Sequence, residues 1–377
     1  MRPDHHADAA SKKTCCGCCG RVHTSYYDKR IRLVRDLSCG GKRIYLKVEK
    51  RRVFCKTCGT VKQEKIDWLS NNPFYTKRFA LQVGRRCRES TITDVAEDFN
   101  IDWKTVKDLD KEYMQKQLKR CGCPGPEAIG VDEISVKKGH SYRVVVSDLK
   151  WHRAIWFGTI DRSKASMDKF YEWLGEKKKK KIRLAVMDMW KPFEESAREN
   201  IPQSSILYDK FHVMNHLGDA LDQVRKLEYA RVTGKDRRFI KGQKYTLLSR
   251  KENLKPDGRA SLEKLLKVNH RLNTAYVLKE TFSQLWEYDD ADKARKFFEN
   301  WKASLKWQRL KPYQKFAQMI ERHWDGIAAY CEPENKVALG FVEGLNNKIR
   351  VLQRRAYGFH DEEYLRLKVL TCMLPRL

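Results

Sequence analysis

The chain has 377 residues, and 78 Lys plus Arg against 49 Asp plus Glu leave a formal charge of +29. That excess predicts a polyanionic partner, with nucleic acid first, and an aromatic share of 11% excludes a mere disordered basic tail. No apolar run approaches the ~20 residues of a membrane span and the N-terminus, MRPDHHADAASKKT, lacks a signal-peptide core, so a soluble, intracellular chain of two or three domains is expected. In a reducing compartment the 12 cysteines are not a disulfide set, and metal ligation accounts for those that cluster.

The cluster opens the chain: Cys15, Cys16, Cys18 and Cys19, then Cys55 and Cys58. Two C-x-x-C knuckles can close one tetrahedral zinc site. The register Cys16, Cys19, Cys55 and Cys58 sets a glycine, Gly20 or Gly59, after each knuckle, where the backbone must turn under the sulfurs. Cys15 and Cys18 offer the competing register. Between the knuckles, residues 30–37 and 42–54 alternate apolar and basic side chains on either side of Cys39-Gly40-Gly41, the pattern of a zinc ribbon. Four thiolates on zinc would give such a module ~10 kcal/mol or more of folding energy. Cys87, Cys121, Cys123, Cys331 and Cys372 are scattered and read as core or incidental.

After Pro73 the pattern turns helical, and residues 76–120 hold three amphipathic helices. Thr93 and Asp94 cap a short helix ending at Phe99, Ala96 is small where two helices cross, Asn100 suits the turn, and Asp102 caps a helix that starts at Trp103. This is a helix-turn-helix. Its second helix would present Trp103, Lys104, Thr105 and Lys107 to a DNA groove, where phosphate contacts position it and base contacts specify sequence; a plain packing role for the three helices is the alternative. Cys121-Gly122-Cys123-Pro124-Gly125-Pro126 then links to the centre of the chain.

Residues 129–160 read as three strands: an apolar lead that ends at Asp132, a β-branched run at 142–146, and a third strand at 153–160, with turn-prone Lys-Gly and Asp-Leu-Lys between them. An amphipathic helix at 166–176 follows, then an apolar strand at 182–187 that ends in Asp188. A helix at 193–200 leads to a fifth strand at 205–208, before Asp209-Lys210-Phe211-His212. Acids at the ends of two strands can share one ion, and this element order suggests a ribonuclease H-like sheet. The lysines at 177–181 read as a solvated loop, with a phosphate contact as the alternative. From 215 to about 333 the chain is charged and helical, with Trp286, Trp301, Trp307 and Trp324 at core-packing intervals, as in a helical insertion. In the stretch GFVEGLNNKIRVLQRRAYGFH, Glu343, Asn346, Asn347 and Arg350 share a polar helix face, while Leu345, Ile349 and Leu352 share an apolar one. Alone that would be an ordinary surface face. Two strand-end acids that lack a third ligand make it part of a site.

Taken together, the knuckles with the segment RVHTSYYDKRIRLVRDL, the strand VDEIS and the stretch VEGLNNKIRVLQRRAYGF closely resemble the ISL-three family of insertion-sequence transposases. The resemblance implies an α/β multidomain chain in which a zinc ribbon (1–72) and a helix-turn-helix domain (73–124) precede a ribonuclease H-like DDE catalytic core. The first part of that core is 125–214, a helical insertion is 215–335, and the C-terminal helices of the core are 336–377. It implies Asp132, Asp188 and Glu343 as the DDE triad on two Mg2+ or Mn2+ ions, and one structural Zn2+ on Cys16, Cys19, Cys55 and Cys58. Arg350 stands as the basic residue two helical turns after the glutamate, Arg354 and Arg355 join it as DNA contacts, and Asp209-Lys-Phe-His212 resembles a (Cys/Asp)-x-x-His signature. The extra thiols of Cys15 and Cys18 depart from the usual knuckle. The implied activity is binding of an element's terminal inverted repeats, then metal-dependent DNA cleavage and strand transfer. The implied setting is double-stranded DNA, both element ends and target, held by a homodimer or higher homo-oligomer in the bacterial cytoplasm at the nucleoid, with no membrane. A DNA-binding regulator would share the ribbon and helix-turn-helix without needing three acids. A ribonuclease H-like nuclease would keep the acids but not join ends.

Overall fold

The computed structural model describes residues 5–7, 13–123, 125–137, 141–158, 161–337 and 340–377. Pro124, the Lys138-Gly139 turn and the last two residues of the third expected strand, 159–160, lie outside them. The chain forms two units, Met1–Gly122 with Lys348–Leu377, and Cys123–Asn347.

In the first unit the alternating segment makes a sheet of β1 (His5–Ala7), β4 (Asp28–Arg35), β5 (Tyr45–Cys55) and β6 (Thr60–Gln63), in the order β1-β5-β4 with β6 also on β5. Two short strands, β2 (Thr14–Cys15) and β3 (Val22–His23), pair around the first knuckle. Val34 and Val48 turn inward onto Leu69, and Gly40 and Gly41 make the turn before β5 at φ 52° and 76°. The thiols of Cys16, Cys19, Cys55 and Cys58 lie within 4.8 Å of one another, and Gly20 and Gly59 adopt φ 77° and 66° beneath them. Cys15 instead donates its thiol to the Gly20 carbonyl at 3.1 Å, and Cys18 is exposed, so the competing register is not the one that closes. Burial opposes a Cys55 thiolate, but the Cys58 backbone N–H, the Cys19 and Cys16 thiols and His23 overcome it and lower its pKa to about 5. A closed set of four sulfurs fits a structural zinc ion.

Asp36, fully buried after β4, joins the ribbon to the helices: it accepts from Thr76 Oγ1 at 2.8 Å and from Arg78 Nε at 2.6 Å. Thr76 also caps α1 (Lys77–Arg86). The next helix, α2 (Ile92–Phe99), is capped by Thr91 rather than Thr93, with Asp94 completing a capping box. Asn100 makes the turn at φ 49°, and Asp102 caps α3 (Trp103–Cys121) by accepting from the Lys104 N–H. Phe79, Val83, Val95, Val106 and Leu109 form the core of the three helices.

In the second unit β7 (Ala128–Lys137), β8 (Ser141–Asp148) and β9 (Arg153–Phe157) form an antiparallel meander. After α4 (Lys164–Leu174) and the short α5 (Glu176–Lys179), β10 (Leu184–Met187) pairs parallel to β7; α6 (Lys191–Asn200) then leads to β11 (Ser205–Tyr208), parallel to β10. The strand order is β11-β10-β7-β8-β9. Unlike the expected first strand, β7 does not end at Asp132; its alternating continuation stays paired with β8 as far as Lys137. Nor is the lysine run wholly solvated, because Lys179 is buried and pairs with Glu176 at 2.5 Å.

Helices fill the rest of this unit: α7 (Lys210–Arg231), α8 (Gly234–Gly242), α9 (Lys244–Leu248), α10 (Pro256–Val268), α11 (His270–Phe282), α12 (Ala291–Ser304), α13 (Lys311–Arg322) and α14 (Trp324–Ala328). Trp286 and Trp301 are core residues and Trp324 stacks on Phe298, but Trp307, in the turn after α12, is 81% exposed and packs no core. The helix α15 (Gly340–Arg355) begins in this unit. From Lys348 onward the chain counts with the first unit. The physical reason is α16 (Glu362–Thr371), whose Tyr364 and Leu367 pack on Tyr113 and Met114 of α3. Its Lys368 also lies 2.6 Å from the buried carboxylate of Asp110. No helix among the described residues is long and apolar enough to cross a membrane.

Two outcomes are expected. Purified, reduced protein should hold about one zinc per chain, and Cys55→Ser with Cys58→Ser should lose it and unfold the ribbon; metal analysis with circular dichroism measures both. At Gly84 in α1, an added Cβ would come within 2.3 Å of Tyr113 Cγ. Alanine would gain ~0.5–1 kcal/mol in helix propensity, but overpacking a ring's root costs ~1–3 kcal/mol. Gly84→Ala should therefore lower the urea midpoint, where a simple propensity effect would raise it.

Candidate active site

Strand alternation puts the acids on one face. Ala128, Leu184, Val186, Leu207 and Val342 share one buried cluster, so the side of the sheet that carries Ala128, Gly130 and Asp132 is the side against which α15 packs. Asp188 follows Val186, and Asp209 follows Leu207, at the same two-residue interval. Register brings them level: Val186 pairs with Gly130, two steps before Asp188 and Asp132, and Met187 pairs with Tyr208, one step before Asp188 and Asp209, so the three acids align across three neighbouring parallel strands. The Asp209 N–H, 2.9 Å from the Met187 carbonyl, carries the ladder to that level. At about 4.8 Å per strand the outer two backbones stand about 10 Å apart.

Around this row the contacts are specific. Asp132 Oδ1 accepts from the Glu133 N–H at 2.7 Å, and its Oδ2 from Asn346 Nδ2 at 2.6 Å. Asp188 Oδ1 accepts from the Met189 N–H at 2.6 Å. His212, in the first turn of α7, sets Nδ1 3.5 Å from Asp188 Oδ2 and Nε2 3.9 Å from Asp132 Oδ1. Asp209 caps the same helix through the Phe211 N–H at 2.8 Å. Glu343, exposed on α15, and Asp209 line a cavity of about 440 Å³ that also takes in Lys210, Phe211, Arg250 and Tyr330.

Burial, reinforced by the charges of Asp209 and Asp188, pushes the Asp132 pKa up to about 6 against the pull of the Glu133 N–H and His212. Burial also raises Asp209, with repulsion from Asp188 and Glu343. Crowded, partly dehydrated carboxylates whose charges oppose one another are a donor set that fits hard divalent cations. Among the described residues only the four cysteines draw three or more metal-ligating side chains to within 4.8 Å, so the acids are more widely spaced than a single closed cage.

The other expected site residues divide. Trp103 is 51% exposed and Lys104 is exposed at the start of α3. Thr105 is half-buried and hydrogen-bonds Tyr75, and Lys107 is half-buried 2.7 Å from Asp361. Arg350 and Arg354 are exposed on α15, whereas Arg355 donates to the Arg88 carbonyl at 2.8 Å. Sequence reasoning set Asn346 on the polar helix face of Glu343 and Asp209 in the Asp-x-x-His signature, but gave neither a contact with, or a level beside, Asp132 and Asp188. Counting register from Gly130 would have found Asp209; nothing in the sequence marks the contact of Asn346 with Asp132.

Residues 129–369, more than half of the chain, match the DDE family of ISL3 elements, described as a transposase. Residues 12–58 match the zinc-finger of transposase IS204/IS1001/IS1096/IS1165, and 64–114 the helix-turn-helix domain of transposase family ISL3. The transposase for insertion sequence element IS1001 of Bordetella parapertussis is 32% identical over 95% of this chain and 88% of its own length. That for IS1557 of Mycobacterium tuberculosis is 27% identical over 93% and 83%. With these matches in the same order as the ribbon, the three helices and the acid-bearing sheet, the chain belongs to the ISL3 family of transposases, DNA-binding enzymes of insertion sequences.

Proposed function

We propose that Asp132, Asp188 and Glu343 are the catalytic DDE carboxylates, in a domain of ribonuclease H-like fold, and that the protein cleaves the ends of its element and joins them to target DNA. The observation that carries this is the alignment of Asp132 and Asp188 at one level of adjacent parallel strands, on the face against which the helix of Glu343 packs. The strand order with the first three antiparallel and the last two parallel to the first supports the fold assignment.

When bound, two Mg2+ ions, or Mn2+ in their place, supply Lewis acidity to an attacking water or 3'-hydroxyl and to the departing 3'-oxygen. Asp132 and Asp188 would hold them from the sheet and Glu343 from α15. His212, between the two aspartates, orients their inner oxygens, and Asp209 adds charge at the third position of the row. In cleavage, water oxygen bonds to phosphorus as the P–O3' bond breaks; in transfer the freed 3'-hydroxyl attacks a target phosphate in the same way. No covalent enzyme intermediate is required.

The ribbon (1–72) and helix-turn-helix (73–124) would recognise the terminal repeats, leaving 125–214 and 336–377 as the catalytic core around the insertion 215–335. Of the DNA contacts, Trp103, Lys104, Arg350 and Arg354 have the exposure to reach DNA directly, and Thr105, Lys107 and Arg355 would have to exchange present partners. Action on two ends implies a homodimer or larger assembly on DNA, and the bacterial cytoplasm, at the nucleoid, is its place of work.

Asp132→Asn, Asp188→Asn and Glu343→Gln should each cut element-end DNA at least ~10²-fold more slowly, the scale of losing one charge-stabilising group, and still bind it. Asp161→Asn should keep most activity, because that carboxylate serves a turn at Ser163. A Glu343→Gln protein that cuts at the wild-type rate would remove Glu343 from the triad. Lys104→Ala should weaken end binding and reduce the slope of log K against log salt by about 1, as loss of one phosphate contact does; an unchanged slope would place Lys104 off the DNA.

A further inference from the structure

Asn346 is only 5% exposed, and packing alone does not account for its chemistry. We propose that Asn346 is a positioning residue that fixes the carboxylate of Asp132, and that Gly130 is what lets it come close enough to do so; this rests on the reading of Asp132 as a metal ligand.

The amide is oriented by its partner. An ionised carboxylate only accepts, so the nitrogen of Asn346, 2.6 Å from Asp132 Oδ2, is the side that faces it. The amide oxygen is then enclosed with no hydrogen-bond partner among the described residues. A buried acceptor left so is a cost that a residue kept for packing would not carry, since leucine fills similar space without it. With Glu133 N–H on Oδ1 and Asn346 on Oδ2, both oxygens of Asp132 are held and the plane of the carboxylate is set. Its Oδ1 is left toward His212, and so toward Asp188.

The backbone shows why the contact forms. A Cβ on Gly130 would sit 2.7 Å from Val342 Cγ2 and 2.8 Å from Ser147 Oγ, so only glycine admits α15 at this depth. Gly130 and Asp132 are two strand residues apart, about 6.6 Å, and Val342 and Asn346 four helix residues apart, about 6 Å. The pairs Gly130–Val342 and Asp132–Asn346 are therefore successive rungs, the first apolar and the second polar. Glu343 leaves the same helix turn as Val342.

The test reads metal binding rather than turnover: Mn2+ affinity of the full-length protein without DNA, by calorimetry or electron paramagnetic resonance. Asn346→Leu keeps the volume and deletes the donor, and should raise the Mn2+ Kd ~10–100-fold, as loss of an outer-shell partner does, while thermal midpoint and end-DNA affinity stay near wild type. Gly130→Ala should act in the same direction through the helix, and Val342→Ala added to it should recover part of the loss, which a packing role for Asn346 alone does not predict. If Asn346→Leu does not fold, Asn346→Ala and Asn346→Ser decide, because they open the same space and only serine retains a donor: equal affinities overturn the inference. Asp132→Asn is the reference. A Kd raised by Asp132→Asn but unmoved by Asn346→Leu overturns this inference alone; a Kd unmoved by Asp132→Asn overturns the metal-site reading and this inference with it.

Discussion

The registered pairing of three parallel strands is the constraint on which the site depends. Because side chains alternate, a slip of one residue between β7 and β10 would turn Asp188 or Asp132 to the opposite face. The pairing is protected by apolar neighbours: Ile129, Val131, Ala185 and Met187 fill one side of the sheet, and Leu184, Val186 and Leu207 the other. Strands buried on both faces read as nearly continuous apolar runs, and that continuity hides which face is which until an acid interrupts it. The acids interrupt it at the level where β10 and β11 stop. There the ladder has no more hydrogen bonds to lose, and backbone N–H groups at Glu133, Met189 and Phe211 are available to carboxylates instead.

That position has an electrostatic cost. Asp132 and Asp209 are held above their ordinary pKa values by burial and by neighbouring carboxylates, Asp209 and Asp188 for the first, Asp188 and Glu343 for the second. Folding alone would not select such a row, since apolar residues of similar volume would pack the same place without repulsion. The row, with an imidazole between two of its acids, is an arrangement whose repulsion an added positive charge would relieve. The N-terminal tetrad solves a different problem. Its sulfurs close tightly, within 4.8 Å, which suits a soft-donor structural ion, whereas the acids stay apart and open toward a cavity.

Legibility in the sequence followed the range of the interaction concerned. The cysteine register could be read because Gly20 and Gly59 carry positive φ directly after the knuckles, a local requirement. The turn at Asn100 and the cap at Asp102 were legible for the same reason. Thr91 was missed in favour of Thr93, although the three-residue interval from Thr91 to Asp94 is the capping-box signal. The length of β7 beyond Asp132 was missed, although Glu133 to Lys137 alternate polar and apolar residues, the pattern of a strand with one buried face. Trp307 shows the converse: spacing suggested a core residue, but spacing cannot see that the helix has already ended. The contact of Asn346 with Asp132 joins residues 214 positions apart and depends on a missing side chain at Gly130, which no periodicity reports.

The helix-turn-helix has a similar division of labour within a single helix. Along α3, Lys107 and Lys111 are one turn apart, and both reach the carboxylate of Asp361, at 2.7 and 2.8 Å. The two lysines hold Asp361 well below the usual carboxylate range. Their side of α3 is therefore committed to the C-terminal segment, as is Asp110 through Lys368. The first turn of α3 is exposed, with Trp103 and Lys104 beside the Asp102 cap. A helix that meets DNA with its N-terminal turn adds the positive end of its dipole to the lysine charge.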